Sequence, residues 1–360
     1  MKKLLIDLIK IPSVSSDIDK LYEIVDFVEK QFDWLNCYIE RFSFNNKPSI
    51  IISNFKWKWA DIVLNWHLDV VPPSEDNQFE PVEKDGKLFA RWAWDMKAGD
   101  TIIITLMKNL LKNNFKRKKV SLILTTDEEV GGFDWVWELT KLWYGWDLIL
   151  IPDSWNLDTI IHAEKWIIHL EADFFWVSAH ASRPWLWENA TDNLFKFYQL
   201  LKNYIQNDKK LLVNKSHWWS SVSLNVINGW KATNMLADKV TWKFDIRYTE
   251  EFEKNELLSQ INLFLKQTNW EIKNKLVWDL LYTDSSDTSL QKYLNICKTI
   301  TPSAKFNKEH GASDARFFAA KWAKVILHRP SCANLHSKKE YVVLDEIEKI
   351  YTCYEKFILS

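Results

Sequence analysis

Between Asp17 and Phe32 apolar residues recur at steps of three and four, the period of a helix with one buried face. The opening run, MKKLLIDLIK, is interrupted by Asp7 and Lys10 and is followed by no small-residue cleavage site. It reads as a short amphipathic helix and not as a signal peptide. The runs SIIIS, DIVLN, VSLILTT and DLILI are short, apolar and β-rich, as strands buried on both faces are. A helical stretch, MKAGDTIIITLMKNLLKNN, lies between the second and third. Helices alternating with buried strands predict an α/β fold with a mixed, largely parallel sheet. Ligands of such sheets collect at the carboxyl ends of the strands. His67 and Asp69 follow DIVLN there, Glu128 and Glu129 follow SLILTT, and Asp153 follows DLILIP.

The texture changes near residue 165. WIIHLEADFFWVSAH alternates as a half-buried strand does, and a helix around ATDNLFKFYQLLKNYI follows. SVSLNVI, KVTWKFDIRY, the helix EEFEKNELLSQINLFLKQ and WEIKNKLVW complete a strand–helix–strand–strand–helix–strand order. That order predicts an inserted α+β (ferredoxin-like) domain over 165–276. It divides a catalytic domain into a first part, 1–164, and a second part, 277–360, which closes in a helix around LDEIEKIYTCYEKFI.

Charge and cysteines narrow the function classes. Lys+Arg 47 against Asp+Glu 48 leaves a net charge of −1, with no basic surplus for a nucleic-acid partner. No apolar stretch reaches the length of about 18 residues that a membrane span needs. Cys37, Cys297, Cys332 and Cys353 are scattered without CxxC spacing. They predict reduced thiols in a cytoplasmic protein, with neither a disulfide frame nor a cysteine zinc site. Composition is anomalous in one respect. The chain has 22 Trp and 7 Gly, whereas roughly 7% of residues are ordinarily glycine. Tryptophan stands in glycine's places: NWHLD at a strand end, DSWN and NGW in turns, AAKWAK between a helix and a strand. Such places often need φ > 0, which glycine adopts freely. Many of these tryptophans therefore read as glycine codons, UGA, written in a code that assigns UGA to tryptophan. The alternative is a chain with real aromatic platforms.

Each candidate site is ordinary by itself. His67 reads alone as a hydrogen-bonded strand-end histidine, TTDEE as a solvated loop or helix cap, and DMK and PDS as caps and turns. Their joint placement after buried strands assembles imidazoles and carboxylates, the donor mixture that zinc accepts in a water-activating site.

The segments NWHLDVVPP, LFARWAWDMKAG, TTDEEVGG, PDSWN, ATNML, FDIRY, HGASDAR and NLHSKKEYV run in order along almost the whole chain. In them the chain resembles the dizinc amidohydrolase family that includes aminoacylase, acetylornithine deacetylase, succinyl-diaminopimelate desuccinylase, glutamate carboxypeptidase and carnosine-type dipeptidases. Family members carry glycine where this chain has Trp66, Trp92, Trp166, Trp176, Trp187 and Trp322. The resemblance implies that His67 and Asp153 bind one zinc, Glu129 and His336 the other, and that Asp95 bridges them, with Co or Mn as substitutes. Asp69 would orient the His67 imidazole, and Glu128 would be the general base. His180 would help to hold the oxyanion, and Asn234 and Arg247 would meet a substrate carboxylate. The competing reading of Arg247 is a strand-face salt bridge. The inserted domain would serve as a lid and form a homodimer.

The implied reaction is cleavage of an amide beside a free carboxylate, in a dipeptide or an N-acyl amino acid. Asp153, where several relatives carry Glu, leans toward a peptidase. A biosynthetic deacylase and a binding protein without turnover are the competing readings. His162, His169, His217 and His328 read as structural or surface residues, and His310 as those or as pocket lining. One prediction follows from composition. Intact-mass spectrometry of the protein from its native host should give a chain lighter by many tryptophan-to-glycine differences; the full-tryptophan mass would refute the recoding.

Overall fold

The computed structural model describes the chain except for residues 57, 74–77, 133, 143, 184, 186, 207–216, 230–231, 269, 279–280, 312 and 334–338. Its strands include β1 (Tyr38–Phe44), β2 (Lys47–Ser53), β3 (Trp59–His67), β4 (Val120–Thr125), β5 (Gly145–Ile151), β6 (Thr159–Glu164), β7 (Trp166–Phe175), β8 (Ser221–Asn228), β9 (Lys239–Tyr248), β10 (Trp270–Val277) and β11 (Lys324–Leu327). The longer helices are α1 (Lys2–Ile9), α2 (Ile18–Lys30), α3 (Ala98–Lys112), α4 (Ala190–Gln206), α5 (Lys254–Lys266), α6 (Thr288–Lys298) and α7 (Leu344–Leu359). The amphipathic pattern after Asp17 becomes α2: the Asp17 carboxylate caps it by accepting from the Lys20 amide, and Leu21, Ile24, Val25 and Val28 form its buried stripe.

The chain divides into two compact units. The first comprises 1–163, 282–309 and 313–360. Its mixed sheet runs β1-β2-β4-β3-β5-β11-β6, with further short strands at the β6 edge. β3 pairs parallel with β4 and β5, and β5 parallel with β11, in the register Leu64↔Leu122, Ile62↔Leu148 and Leu327↔Ile151. All six residues of β4 are buried, which is why its sequence shows no polar alternation. Because these four strands run the same way, the segments that follow them emerge at one edge. Those segments carry His67, Glu128, Asp153 and Arg329.

The second unit comprises 164–281 and 310–312. Its four-stranded antiparallel sheet has the order β8-β9-β7-β10, with α4 and α5 as the intervening helices. This is the ferredoxin-like arrangement. Phe174, Phe197, Leu201, Phe244, Ile261 and Leu265 belong to its buried core.

Several tryptophans sit awkwardly. Trp322 is 95% exposed with φ 68°, in the left-handed region that β-carbon sterics disfavour. The indole N–H groups of Trp66, Trp94, Trp146, Trp166 and Trp242 are buried without an acceptor among the described residues. Each such orphaned donor costs about 1–3 kcal/mol.

Ile149 is fully buried in β5, between β3 and β11. Ile149→Ala should destabilise the first unit by about 2–5 kcal/mol, read as a lowered urea midpoint. An unchanged midpoint would mean that this strand is not in the core.

Candidate active site

β3 delivers His67 at its last residue, and the chain then turns through Leu68 and Asp69, both buried. The His67 Nδ1 faces the Asp69 main-chain oxygen at 3.0 Å and its carboxylate at 3.5 Å. That leaves Nε2 on the open side, 3.5 Å from Asp95 Oδ1 and 3.9 Å from Glu128 Oε2. Burial opposes a charged His67, but Glu128, Asp69 and Asp95 outweigh it and raise its pKa well above the ordinary value.

Asp69 has a wider part than orienting the imidazole. Its carboxylate is fully buried and accepts from Ser15 Oγ at 2.8 Å. It also accepts from the main-chain amides of Glu128 and Glu129, both at 3.2 Å. One carboxylate therefore ties the turn after β3 to the turn after β4, which carries both glutamates. Lys97 reinforces the same turn by donating to Leu68 O at 2.9 Å and Ser13 Oγ at 2.8 Å. Burial lowers its pKa to about 8.

The Asp95 loop precedes α3. Trp92 opens it with φ 63°, and the Asp95–Met96 peptide is cis. Glu340, 1% exposed, accepts from the amides of Trp94 at 3.0 Å and Asp95 at 3.2 Å. Burial, with the Asp95 charge next, raises its pKa to about 7. The sequence motifs do not single out Glu340, although they include its segment, NLHSKKEYV; its local signal is an acidic residue four positions beyond a candidate ligand.

Asp153 stands beyond β5. Its Oδ1 accepts from the Ser154 amide and from Arg329 Nη1, both at 2.8 Å. The Arg329 guanidinium also lies over the Trp94 ring, 4.3 Å from its centroid. Burial raises the pKa of Asp153, with Arg329 opposing and Asp95 adding to the rise. Glu128 is raised well above its ordinary value, first by burial, and by Asp314, Glu129 and Asp95 against the pull of His67. An imidazole among carboxylates that burial and mutual repulsion push toward neutrality is a donor set that fits divalent cations. His336 lies outside the described residues.

Comparison with known proteins decides the family. The model for peptidase family M20/M25/M40 matches residues 63–360. The chain belongs to this family. It is 27% identical over 315 residues to a succinyl-diaminopimelate desuccinylase from Nautilia profundicola, covering 81% of this chain and 82% of the relative. A desuccinylase from Rickettsia bellii is 24% identical over 317 residues, covering 82% and 80%. Among solved structures, a Staphylococcus aureus tripeptidase superposes with a TM-score of 0.76 at 15% identity, covering 99% of this chain and 96% of that one. An M20 metallo-carboxypeptidase from Sulfolobus solfataricus gives 0.75 at 16% identity, covering 99% and 98%. Membership makes the chain a hydrolase dependent on divalent metal.

The M20 chain carries its remaining candidates in the second unit. His180 and Asn234 lie on neighbouring segments, with the Ala181 amide donating to Asn234 O at 2.9 Å. His180 Nδ1 is 2.8 Å from Ser182 Oγ. Arg247 donates through Nε and Nη2 to Asp245 at 2.7 and 2.9 Å. Burial would raise the Asp245 pKa, but Arg247 and His169 hold it below the ordinary value.

Trp92, which stands in a glycine place, has the positive φ of 63° that such places need, while both it and Trp94 are buried and the Trp92 indole donates to Val71 O at 3.0 Å. Trp155 is 53% exposed. The cysteines are less scattered than their spacing implies, because Cys297, His328 and Cys353 converge with their donor atoms within 4.8 Å of one another. His328 Nε2 faces Leu157 O at 2.7 Å, so Nδ1 accepts from the Tyr293 hydroxyl at 2.8 Å. Burial lowers the His328 pKa to about 4 and raises the Cys297 thiol. The three side chains lie buried in the core.

Asp69→Asn should place an amide N–H₂ against a donor, since both carboxylate oxygens accept. The loss should be about 1–3 kcal/mol of stability, measured by urea unfolding of the metal-free protein. Parent-like stability would remove Asp69 as the tie between the two turns.

Proposed function

We propose that the chain is a cytoplasmic dizinc hydrolase that cuts an amide bond beside a free carboxylate, in a dipeptide or an N-acyl amino acid. The observation that carries this reading is the approach of Asp95 and Glu128 to one nitrogen of His67, at 3.5 and 3.9 Å. His67 and Asp153 would hold one ion, Glu129 and His336 the other, with Asp95 between them and Co or Mn as substitutes. Divalent ions held there supply Lewis-acid polarisation of the amide carbonyl and acidify water.

Glu128 takes a proton from the attacking water and returns it to the leaving amine. Its backbone is fixed by Asp69, so the base and the ligand turn share one anchor. His180 steadies the developing oxyanion, and Asn234 and Arg247 receive the substrate carboxylate. Asp245 takes one N–H from Nε and one from Nη2 of Arg247, so the fork keeps further N–H groups for that contact. Four free cysteines, Cys37, Cys297, Cys332 and Cys353, support a reducing compartment. A homodimer through the second unit belongs to the same proposal.

A second reading is favoured by the relatives over four-fifths of the chain: an N-succinyl amino acid deacylase. A panel of dipeptides, N-acetyl and N-succinyl amino acids with zinc restored tests both: turnover of dipeptides excludes the second reading, and turnover confined to the N-succinyl substrates selects it. Glu128→Gln should lower kcat by about 10²–10⁴-fold with zinc content unchanged. Full activity in that variant would move the base role elsewhere.

A further inference from the structure

Asp153 and Arg329 follow two adjacent parallel strands, β5 and β11, whose last residues, Ile151 and Leu327, are in register. The His328 amide donates to Ile151 O at 3.0 Å and continues that pairing beyond the strands. Two residues past each strand end, the carboxylate and the guanidinium therefore meet by construction of the sheet. Arg329 is 7% exposed, and its Nη1 takes the same Asp153 oxygen, Oδ1, that the Ser154 amide takes. With Oδ1 holding two donors, Oδ2 is left as the oxygen to offer.

We propose that Arg329 is a positioning residue for the metal centre, aiming Asp153 so that it binds its ion through one oxygen. The proposal rests on the dizinc reading above. A freely rotating carboxylate samples other rotamers and other ligation modes. A charge-assisted hydrogen bond to the non-ligating oxygen removes that freedom, the service that buried partners commonly give to metal-bound side chains. The Trp94 ring under the guanidinium adds packing, but the bond to Asp153 does not require it.

Zinc titration calorimetry on the full, metal-stripped chain tests the proposal. The parent should take up two ions. Arg329→Met should weaken one of them by about 10–100-fold and leave the other unchanged, with Arg329→Lys recovering part of the loss. In an Asp153→Ala background, Arg329→Met should add no further loss, because its effect passes through Asp153. Parent-like affinity for both ions in Arg329→Met overturns the proposal, and so does a full additional loss in the Asp153→Ala background. If circular dichroism shows that the Met variant is unfolded, Arg329→Gln carries the same comparison. A parent that binds fewer than two ions fails the dizinc reading itself, and that failure is visible before any variant is made.

Discussion

The carboxylate of Asp69 is the constraint on which the site geometry depends. It is removed from water and paid back by three donors, Ser15 Oγ and the amides of Glu128 and Glu129. A buried carboxylate left without such partners would be costly enough to neutralise or refold. Its satisfaction therefore dictates where the turn after β4 lies relative to the turn after β3. His67 and the two glutamates inherit their places from that agreement. Lys97 ties Ser13 and Leu68 into the same arrangement, and Glu340 does for the Asp95 loop what Asp69 does for the glutamates.

Around this frame the protein concentrates negative charge against its own interest. Burial and mutual repulsion raise Glu128 and Asp153, and burial with the Asp95 charge raises Glu340. Protons and the Arg329 guanidinium relieve part of that repulsion. Divalent ions relieve it more effectively, because each carries two charges and accepts several oxygens at once. An ion held there would link metal loading to folding, because its ligands are brought together only in the folded chain.

The second unit handles charge differently. On its sheet face Asp245 accepts from Arg247 of the same strand and meets His169 of the neighbouring strand, so that the proposed carboxylate receptor is already partly occupied. A guanidinium held this way is pre-oriented, and the cost of ordering its long side chain is already met within the sheet.

Much of this was legible in the linear chain. The buried runs ending in His67, Glu128 and Asp153 marked parallel strands, and the strand–helix order after residue 165 marked the second unit, because burial imposes its period directly on sequence. The order of motifs placed the chain in its family. What only the tertiary structure decided was partnership. The capture of Glu128 and Glu129 amides by Asp69, the grip of Glu340 on the Asp95 loop, the bond from Arg329 to Asp153 and the meeting of Cys297 with Cys353 all join residues far apart along the chain. Nothing in their local sequence reports the other member. The left-handed backbone at Trp92 and Trp322 sits where tryptophan stood in glycine's place, since a turn's demand on φ is local. Hydrogen-bond partners are chosen by strand register and sheet order, and those exist only after the chain has packed.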